Sequence, residues 1–378
     1  MTTKKDRKAT ILYVHHAGGF GGAPKSMGFI IKDLDKSKFY PVLVNIEDGP
    51  INEFFETLPV KLIKVNGIKP FHGSTVVEKD WKLFLRNWIF LIPSILKASK
   101  LLKEIKPDLI HLNSTCLFSF AIAARLNNIK IISHVREPLR KGLWGAPLRF
   151  FCKKYIDGFI AISKFDLESL KISSKTEILS EVIYNFVEDV DMNTSYNSIK
   201  TELNLNEEDV VFLYLARFAK SNGWKQLVTM GLSLTEKYKN FHFVLVGAQN
   251  KLQLNYVNHK NIHILPFRRD VSSILKSSDV FVCPFTEPHF ARGIIEASAH
   301  GLPIIGVNIG GVNELVLENT SGFLYKNSPD FQKCAVLLGE DKQLRKKMGK
   351  DGIAFSKQNF NMKVNLERTY RFYDNYLK

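Results

Sequence analysis

A chain of 378 residues with 45% hydrophobic and 24% charged residues is too long for one hydrophobic core and too apolar for extended disorder, which points to two globular domains of ordinary size. Its formal net charge of +16 is unevenly spread, with 29 Lys+Arg against 16 Asp+Glu in residues 1–180 and 24 against 21 in the remainder. A basic first half suits an anionic lipid surface, a polyanionic glycan, a nucleic acid or simply a solvated lysine-rich exterior, and charge alone does not choose among them.

The opening residues, Met1 to Lys8, are polar and basic and are the only stretch expected to lack order. No signal-peptide core follows them, and no apolar run reaches membrane-spanning length, so a cytoplasmic protein, soluble or peripheral, is expected. Cys116, Cys152, Cys283 and Cys334 are widely spaced, without a Cys-x-x-Cys pair or clustered His. That spacing indicates neither a zinc site nor a disulfide framework.

Short apolar runs alternate with helical patterns, the signature of parallel sheets covered by helices. In the first half the predicted strands are Thr10–His15, Pro41–Asn45, Val60–Val65, Leu109–Asn113, Lys130–His134, Gly158–Ile162 and Val182–Tyr184. After a polar stretch, Glu188 to Asp209, come Val210–Ala216, His242–Gly247, Asn261–Leu265, Val280–Pro284 and Pro303–Val307. Two doubly wound units joined by a linker near Phe186–Asn206 account for this most simply, with a closing helix at Asn361–Tyr376.

The loop Gly18–Ala23 lets backbone approach a ligand closely, and Pro24 suits the first position of the next helix. Its glycines do not fall at the Gly-x-Gly-x-x-Gly spacing, since the third position from Gly19 and Gly21 is Pro24, so a nicotinamide dehydrogenase is set aside. Trp81 to Leu102 mixes aromatics on one side with Lys82, Arg86, Lys97 and Lys100 on another. It reads either as a helix lying on a membrane or as a core helix with snorkelling lysines, interrupted at Pro93.

Polar residues then collect at strand ends. Asn113 and Ser114 follow one strand, with His111 inside it; His134 ends another, ahead of Arg136 and Glu137, a local ion pair orienting that loop. Arg217 ends the first strand of the second half, where a guanidinium can engage two phosphate oxygens. Gly247 and Phe267 begin loops suited to a nucleobase, with Phe267 either stacking or buried.

Residues 281–316 carry the most specific pattern. A strand ends at Pro284, a helix opens near Ala291 with Glu296 in its early turns, and Pro303 starts a strand running into the Gly310-Gly311 turn. Two strand ends and two helix starts are expected at one crevice. Helix starts suit a diphosphate, and Glu296 can accept from sugar hydroxyls.

The order of these parts resembles the donor-binding segment of the retaining GT-B glycosyltransferases of family 4. There a Glu, seven residues and a second Glu precede Ala, small residues, Gly, Leu or Lys, Pro, a strand and a Gly-Gly turn. This chain departs from that pattern: eight positions before Glu296 stands Pro288, and Glu287 lies one residue further. Either a bulge returns Glu287 to the sugar, or His289 faces that space. The family also places a Lys five residues after the arginine, where this chain has Asn222, so Lys225 or Lys220 is the substitute.

The resemblance implies an α/β GT-B fold of two Rossmann-like domains facing across a cleft. Residues 1–187 would bind the acceptor, with the C-terminal helix 360–378 packed back on them, and residues 188–359 the nucleotide sugar. It implies retaining transfer from a UDP- or GDP-sugar to a glycan or lipid-linked acceptor in cell-surface polysaccharide assembly. His134, Arg217 and Glu296 would be catalytic. The donor would meet Arg217, Lys225, Gly247, Phe267, Glu287, His289, Ala291, Arg292, Gly293 and Glu296, and the acceptor Gly21, Gly22, Asn113 and Ser114. No metal is expected, in line with the absence of a metal-binding Asp-x-Asp, and no cofactor beyond the nucleotide sugar as co-substrate. Peripheral membrane contact through the basic first half is expected, and nucleic acid is not. A GT-B nucleotide-sugar epimerase and a basic nucleic-acid-binding protein are the rival readings.

Overall fold

The computed structural model describes residues 7–173, 176–188, 190 and 197–377. The chain divides into two compact units, Met1–Asn185 with Lys363–Lys378, and Phe186–Met362. The expected disorder at Met1–Lys8 falls mostly outside the described residues, as does part of the linker read at Phe186–Asn206.

The first unit is a seven-stranded parallel sheet: β1 (Ala9–His15), β2 (Phe39–Asn45), β3 (Lys61–Lys64), β4 (Leu109–Leu112), β5 (Lys130–Val135), β6 (Gly158–Ala161) and β7 (Leu179–Val182). They lie in the order β3-β2-β1-β4-β5-β6-β7. Ile11, Leu12, Val14, Leu109, Ile110 and Leu112 are fully buried because helices cover both faces, which is why these strands read as unbroken apolar runs. Strand order reverses direction between β1 and β4, and in such sheets ligands bind beyond the carboxyl ends at that point.

The last strand corrects the expectation. β7 begins at Leu179 rather than Val182 and pairs Gly158 with Leu179. It is an edge strand bearing Ser180 and Glu181, so it lacks the apolar run that marks the others.

The helix Met362–Asp374 belongs to this first unit. Leu366, Phe372 and Tyr373 are buried, Arg368 bonds Glu181 and the Val182 carbonyl, and Tyr370 donates to the Ile30 carbonyl at 2.9 Å. The helices Trp81–Ile89 and Leu91–Ile105 run almost continuously, since Phe90 donates to Arg86 and Ser94 to Phe90. They part near Phe90 because Pro93 has no N–H for the carbonyl of Ile89.

The second unit is a six-stranded parallel sheet: β8 (Val210–Leu215), β9 (Phe241–Ala248), β10 (Ile262–Pro266), β11 (Val280–Cys283), β12 (Ile304–Val307) and β13 (Gly322–Tyr325). The order is β10-β9-β8-β11-β12-β13, with Phe212, Phe241, Phe243 and Phe331 packed in the core. β13, four residues at an edge after the turn at Asn319, went unread in the sequence. The second helix start expected after Gly310-Gly311 is absent: residues 310–314 form a turn closed by Val312 and Asn313 donating to the Ile309 carbonyl. Pro24 is likewise displaced, standing third in a helix that begins at Gly22.

Candidate active site

In the second unit the loops beyond β8 and β11, the strands flanking the reversal, are joined directly. Gly223 adopts φ +68, and a Cβ there would lie 1.8 Å from the Pro284 carbonyl oxygen, so a side chain would force the two loops apart. Thr286 and Glu287 both donate main-chain N–H to the Ser221 carbonyl, at 2.9 and 3.3 Å, and the Thr286 hydroxyl donates to the Lys220 carbonyl at 2.9 Å. From the other side Gly311, at φ +83, abuts His289, whose carbonyl carbon lies 2.7 Å from where a Cβ would stand. The segment 284–290 is thus fixed between two turns.

Arg217 follows β8 and is exposed. Its main-chain carbonyl accepts from the Tyr214 hydroxyl at 2.9 Å and from Asn222 Nδ2 at 3.0 Å. The departure at Asn222 therefore has a structural occupation: its buried amide closes the turn that carries Arg217. The helix Arg292–Ala299 opens on Ala291, which supplies no capping side chain, and Gly293 packs against the Leu215 carbonyl two residues before Arg217. A helix start beside a guanidinium is suited to an anion.

Glu296, one turn into that helix, accepts from Arg292 Nε at 2.8 Å. His289 stacks on Phe285 with ring centroids 4.2 Å apart and donates from Nδ1 to the Glu287 carbonyl at 2.8 Å. Burial pushes its pKa down to about 4, opposed by that bond and reinforced by the nearby Arg217 guanidinium. The neutral ring therefore offers Nε2 as an acceptor. Among the described residues the Glu287 carboxylate has no ion-pair partner.

Gly247 lies inside β9 at φ +129, beside Ala216. Phe267 follows β10 and is 59% exposed, which excludes the core alternative. Lys225 is placed differently from Arg217. It faces a groove of about 560 Å³ shared with Lys220, Gln253 and Tyr256, its Nζ 5.5 and 5.2 Å from the Trp224 and Tyr256 ring centroids. Arg217 does not line that groove.

In the first unit a buried polar network occupies the carboxyl ends of β1, β4 and β5. Asn113 Nδ2 reaches His15 Nδ1 at 3.0 Å and the Ala23 carbonyl at 3.3 Å, which puts Asn113 beside the loop holding Gly21 and Gly22. Ser114 is a turn cap, accepting from the Cys116 N–H. Arg136, read from sequence as a partner for Glu137, donates to Asn113 Oδ1 at 2.6 Å and Asn185 Oδ1 at 3.1 Å.

His134 stacks on His111 with Nδ1 2.8 Å from His111 Nε2, and His111 Nδ1 lies 2.6 Å from the Tyr373 hydroxyl. Arg136, which can only donate, also reaches His134 Nδ1 at 3.5 Å. Nδ1 is then an acceptor, and the ring carries its proton on Nε2, available to a ligand. Burial first, then the Arg136 charge, holds His134 well below the usual range and pushes His111 down to about 3. Both rings are neutral.

Two histidines beyond those singled out from sequence join the network. His15 Nε2 and His16 Nδ1 are buried with no partner among the described residues, and His16 is pushed down to about 4 by burial and His72. The signal was present, since a His-His pair ends the first strand just before the glycine loop. The Asp-x-Asp spacing does occur away from the crevice, at Asp33 and Asp35; Asp35 there caps Ser37, and a second instance, Asp189 and Asp191, lies outside the described residues.

Two doubly wound parallel sheets with this edge chemistry define the GT-B fold. A family model described as glycosyl transferases group 1 matches residues 195–355, and one described as glycosyltransferase family 4 matches residues 60–190. An Escherichia coli UDP-Gal:alpha-D-GlcNAc-diphosphoundecaprenol alpha-1,3-galactosyltransferase is 30% identical over 350 residues, 80% of this chain and 87% of that protein. A Campylobacter jejuni N,N'-diacetylbacillosaminyl-diphospho-undecaprenol alpha-1,3-N-acetylgalactosaminyltransferase is 28% identical over 182 residues, 47% of each chain. The crystal structure of Anabaena HepE in complex with UDP aligns with a TM-score of 0.78 at 20% identity, covering 97% of this chain and all of that one. The chain belongs to the group 1, family 4 glycosyltransferases and is an enzyme of that class.

Proposed function

We propose that this enzyme moves a sugar from a UDP- or GDP-sugar, UDP being favoured, to a lipid-linked saccharide acceptor, with retention at the anomeric carbon and without a metal ion. The supporting observation is the 30% identity along most of the chain to an enzyme named for UDP-galactose and a diphosphoundecaprenol acceptor. The C. jejuni relative, also named for a diphospho-undecaprenol acceptor, agrees in acceptor class.

In this reading the second unit holds the donor and the first unit the acceptor. As the bond from C1 to the diphosphate oxygen breaks, negative charge grows on the phosphate. Arg217 and the N–H groups at Arg292 and Gly293 stabilise that charge as it appears. Glu296 leaves Arg292 to bind the ribose, and Phe267 stacks on the base. The acceptor hydroxyl forms its bond to C1 on the face the phosphate leaves and gives its proton to a phosphate oxygen. His134 positions the transferred sugar through Nε2–H, while Gly21, Gly22, Asn113 and Ser114 border the acceptor.

The test is a transfer assay with radiolabelled UDP- and GDP-sugars and a short-chain prenyl-diphosphate saccharide, run with and without EDTA, with the product linkage read by NMR. Transfer in EDTA with the donor's anomeric configuration kept is the expected result. An inverted product, strict dependence on a divalent ion, or sugar epimerisation without acceptor would each overturn it.

A further inference from the structure

We propose that the helices Trp81–Ile89 and Leu91–Ile105, with the neighbouring turn at Gly142–Trp144 and helix Ala146–Tyr155, form a surface that docks on an anionic lipid bilayer. The inner stripe of the first two helices, Asn87, Ser94, Ala98 and Leu102, is buried against the first unit. That accounts for one face. A second apolar stripe, Trp81, Leu85, Trp88, Ile89, Ile92 and Leu96, recurs at helical spacing on the outside, where Ile89, Ile92 and Leu96 are 70%, 67% and 66% exposed. One such residue would be unremarkable, but a row at i, i+4, i+7, i+8, i+11 and i+15 is an apolar face open to solvent.

Aromatic contacts extend the face. Trp81 meets Trp144 at 4.9 Å and Trp88 meets Phe151 at 6.3 Å, which brings in exposed Leu143 and Phe150. Charge then selects the occupant. Residues 81–103 contain five Lys or Arg and no Asp or Glu, and residues 140–156 contain another five and again no acid. Lys154 sits over the Phe150 ring at 5.5 Å, a cation beside an exposed aromatic. Apolar side chains ringed by cations of one sign fit the boundary of a bilayer with negative head groups; they fit a second copy of the same basic face poorly, because like charges would meet.

The surface gains its use from the lipid-linked acceptor reading, but its test contains neither donor nor acceptor. Full-length protein is sedimented with vesicles of phosphatidylcholine alone or with about a third phosphatidylglycerol, while tryptophan emission is recorded. Expected are binding to the anionic vesicles with a blue shift, weakening as salt rises, and a loss of about tenfold or more in the exposed-site variant Ile89→Glu/Ile92→Glu. Leu252→Glu, at a still more exposed apolar residue of the second unit, should bind like wild type. A protein that stays in the supernatant at low salt, a double variant that binds unchanged, or a patch-dependent dimer without vesicle binding would overturn the proposal. Transfer to a water-soluble acceptor should survive the double variant, which separates failure of docking from failure of the catalytic reading.

Discussion

Asn222 donates its side-chain amide to the main-chain carbonyl of Arg217 at 3.0 Å, and the Tyr214 hydroxyl reaches the same oxygen at 2.9 Å. The position where the resemblance calls for a lysine is spent here on the backbone that presents the arginine. Asn222→Lys would bury an ammonium or withdraw a bond from that carbonyl, at a cost of about 1–3 kcal/mol. A lower melting temperature with no gain in nucleotide affinity is expected. Tighter UDP binding at unchanged stability would instead mark Asn222 as a mere vacancy in the phosphate clamp.

Glu296 and Arg292 form a part-buried pair one helical turn apart. Arg292→Ala should lower stability by about 1–3 kcal/mol, because it leaves the part-buried Glu296 carboxylate without its charged donor. Glu296→Ala should lower melting no more than Arg292→Ala does, yet weaken nucleotide binding by about 1–3 kcal/mol through the lost charged hydrogen bonds. Calorimetric titration with UDP and GDP checks both, and wild-type affinity in the Glu296 variant would remove it from the donor site.

Glu287 and His289 divide the open role at the sugar. His289 is committed to Phe285 and to the Glu287 carbonyl, whereas among the described residues the Glu287 carboxylate is not ion-paired. Glu287→Gln is expected to lower kcat by about tenfold or more with KM little changed, the pattern of an interaction made in the transition state. His289→Ala should chiefly lower the melting temperature. The reverse pattern would hand the sugar contact to the histidine.

Acid should destabilise the first unit. His16 and His111 are pushed down to about 4 and about 3 from the ordinary 6.5, and His15 and His134 lie well below it, burial being the main cause. The unfolded chain therefore binds more protons than the folded one between the depressed values and 6.5, so stability falls as pH drops through that window. Thermal melts at pH 7.5, 6.0 and 5.0 should descend in that order. His111→Gln, which removes one depressed group, should flatten the descent, and a flat wild-type profile would contradict the neutral-ring assignment.

Most central strands were legible because burial on both faces writes them as unbroken apolar runs. β7 was read three residues late, because Ser180 and Glu181 interrupt its apolar run, and β13, four residues starting at Gly322, was too short to stand out. Of the site, Arg217 and the helix opening at Ala291 could be read from strand-to-helix punctuation. The joining of the loops could not, because Gly223 against Pro284 and Gly311 against His289 are approaches between segments distant in sequence. Arg136 was visible as a cation, yet its bonds to Asn113 and Asn185 join residues 23 and 49 positions away, beyond any local pattern. The placement of Lys225 Nζ beside the Trp224 and Tyr256 rings was not legible either, since Tyr256 lies far along the chain.

The first unit is completed by residues 363–378, with Tyr373 set against Tyr13 and His111. During synthesis these residues follow the whole of the second unit, so the histidine network of the first unit is sealed only after the second unit's sheet has been made. A stop codon placed just before Met362 should therefore damage the amino-terminal half and spare the later one, so that proteolysis of the shortened product leaves a resistant fragment near residues 197–359.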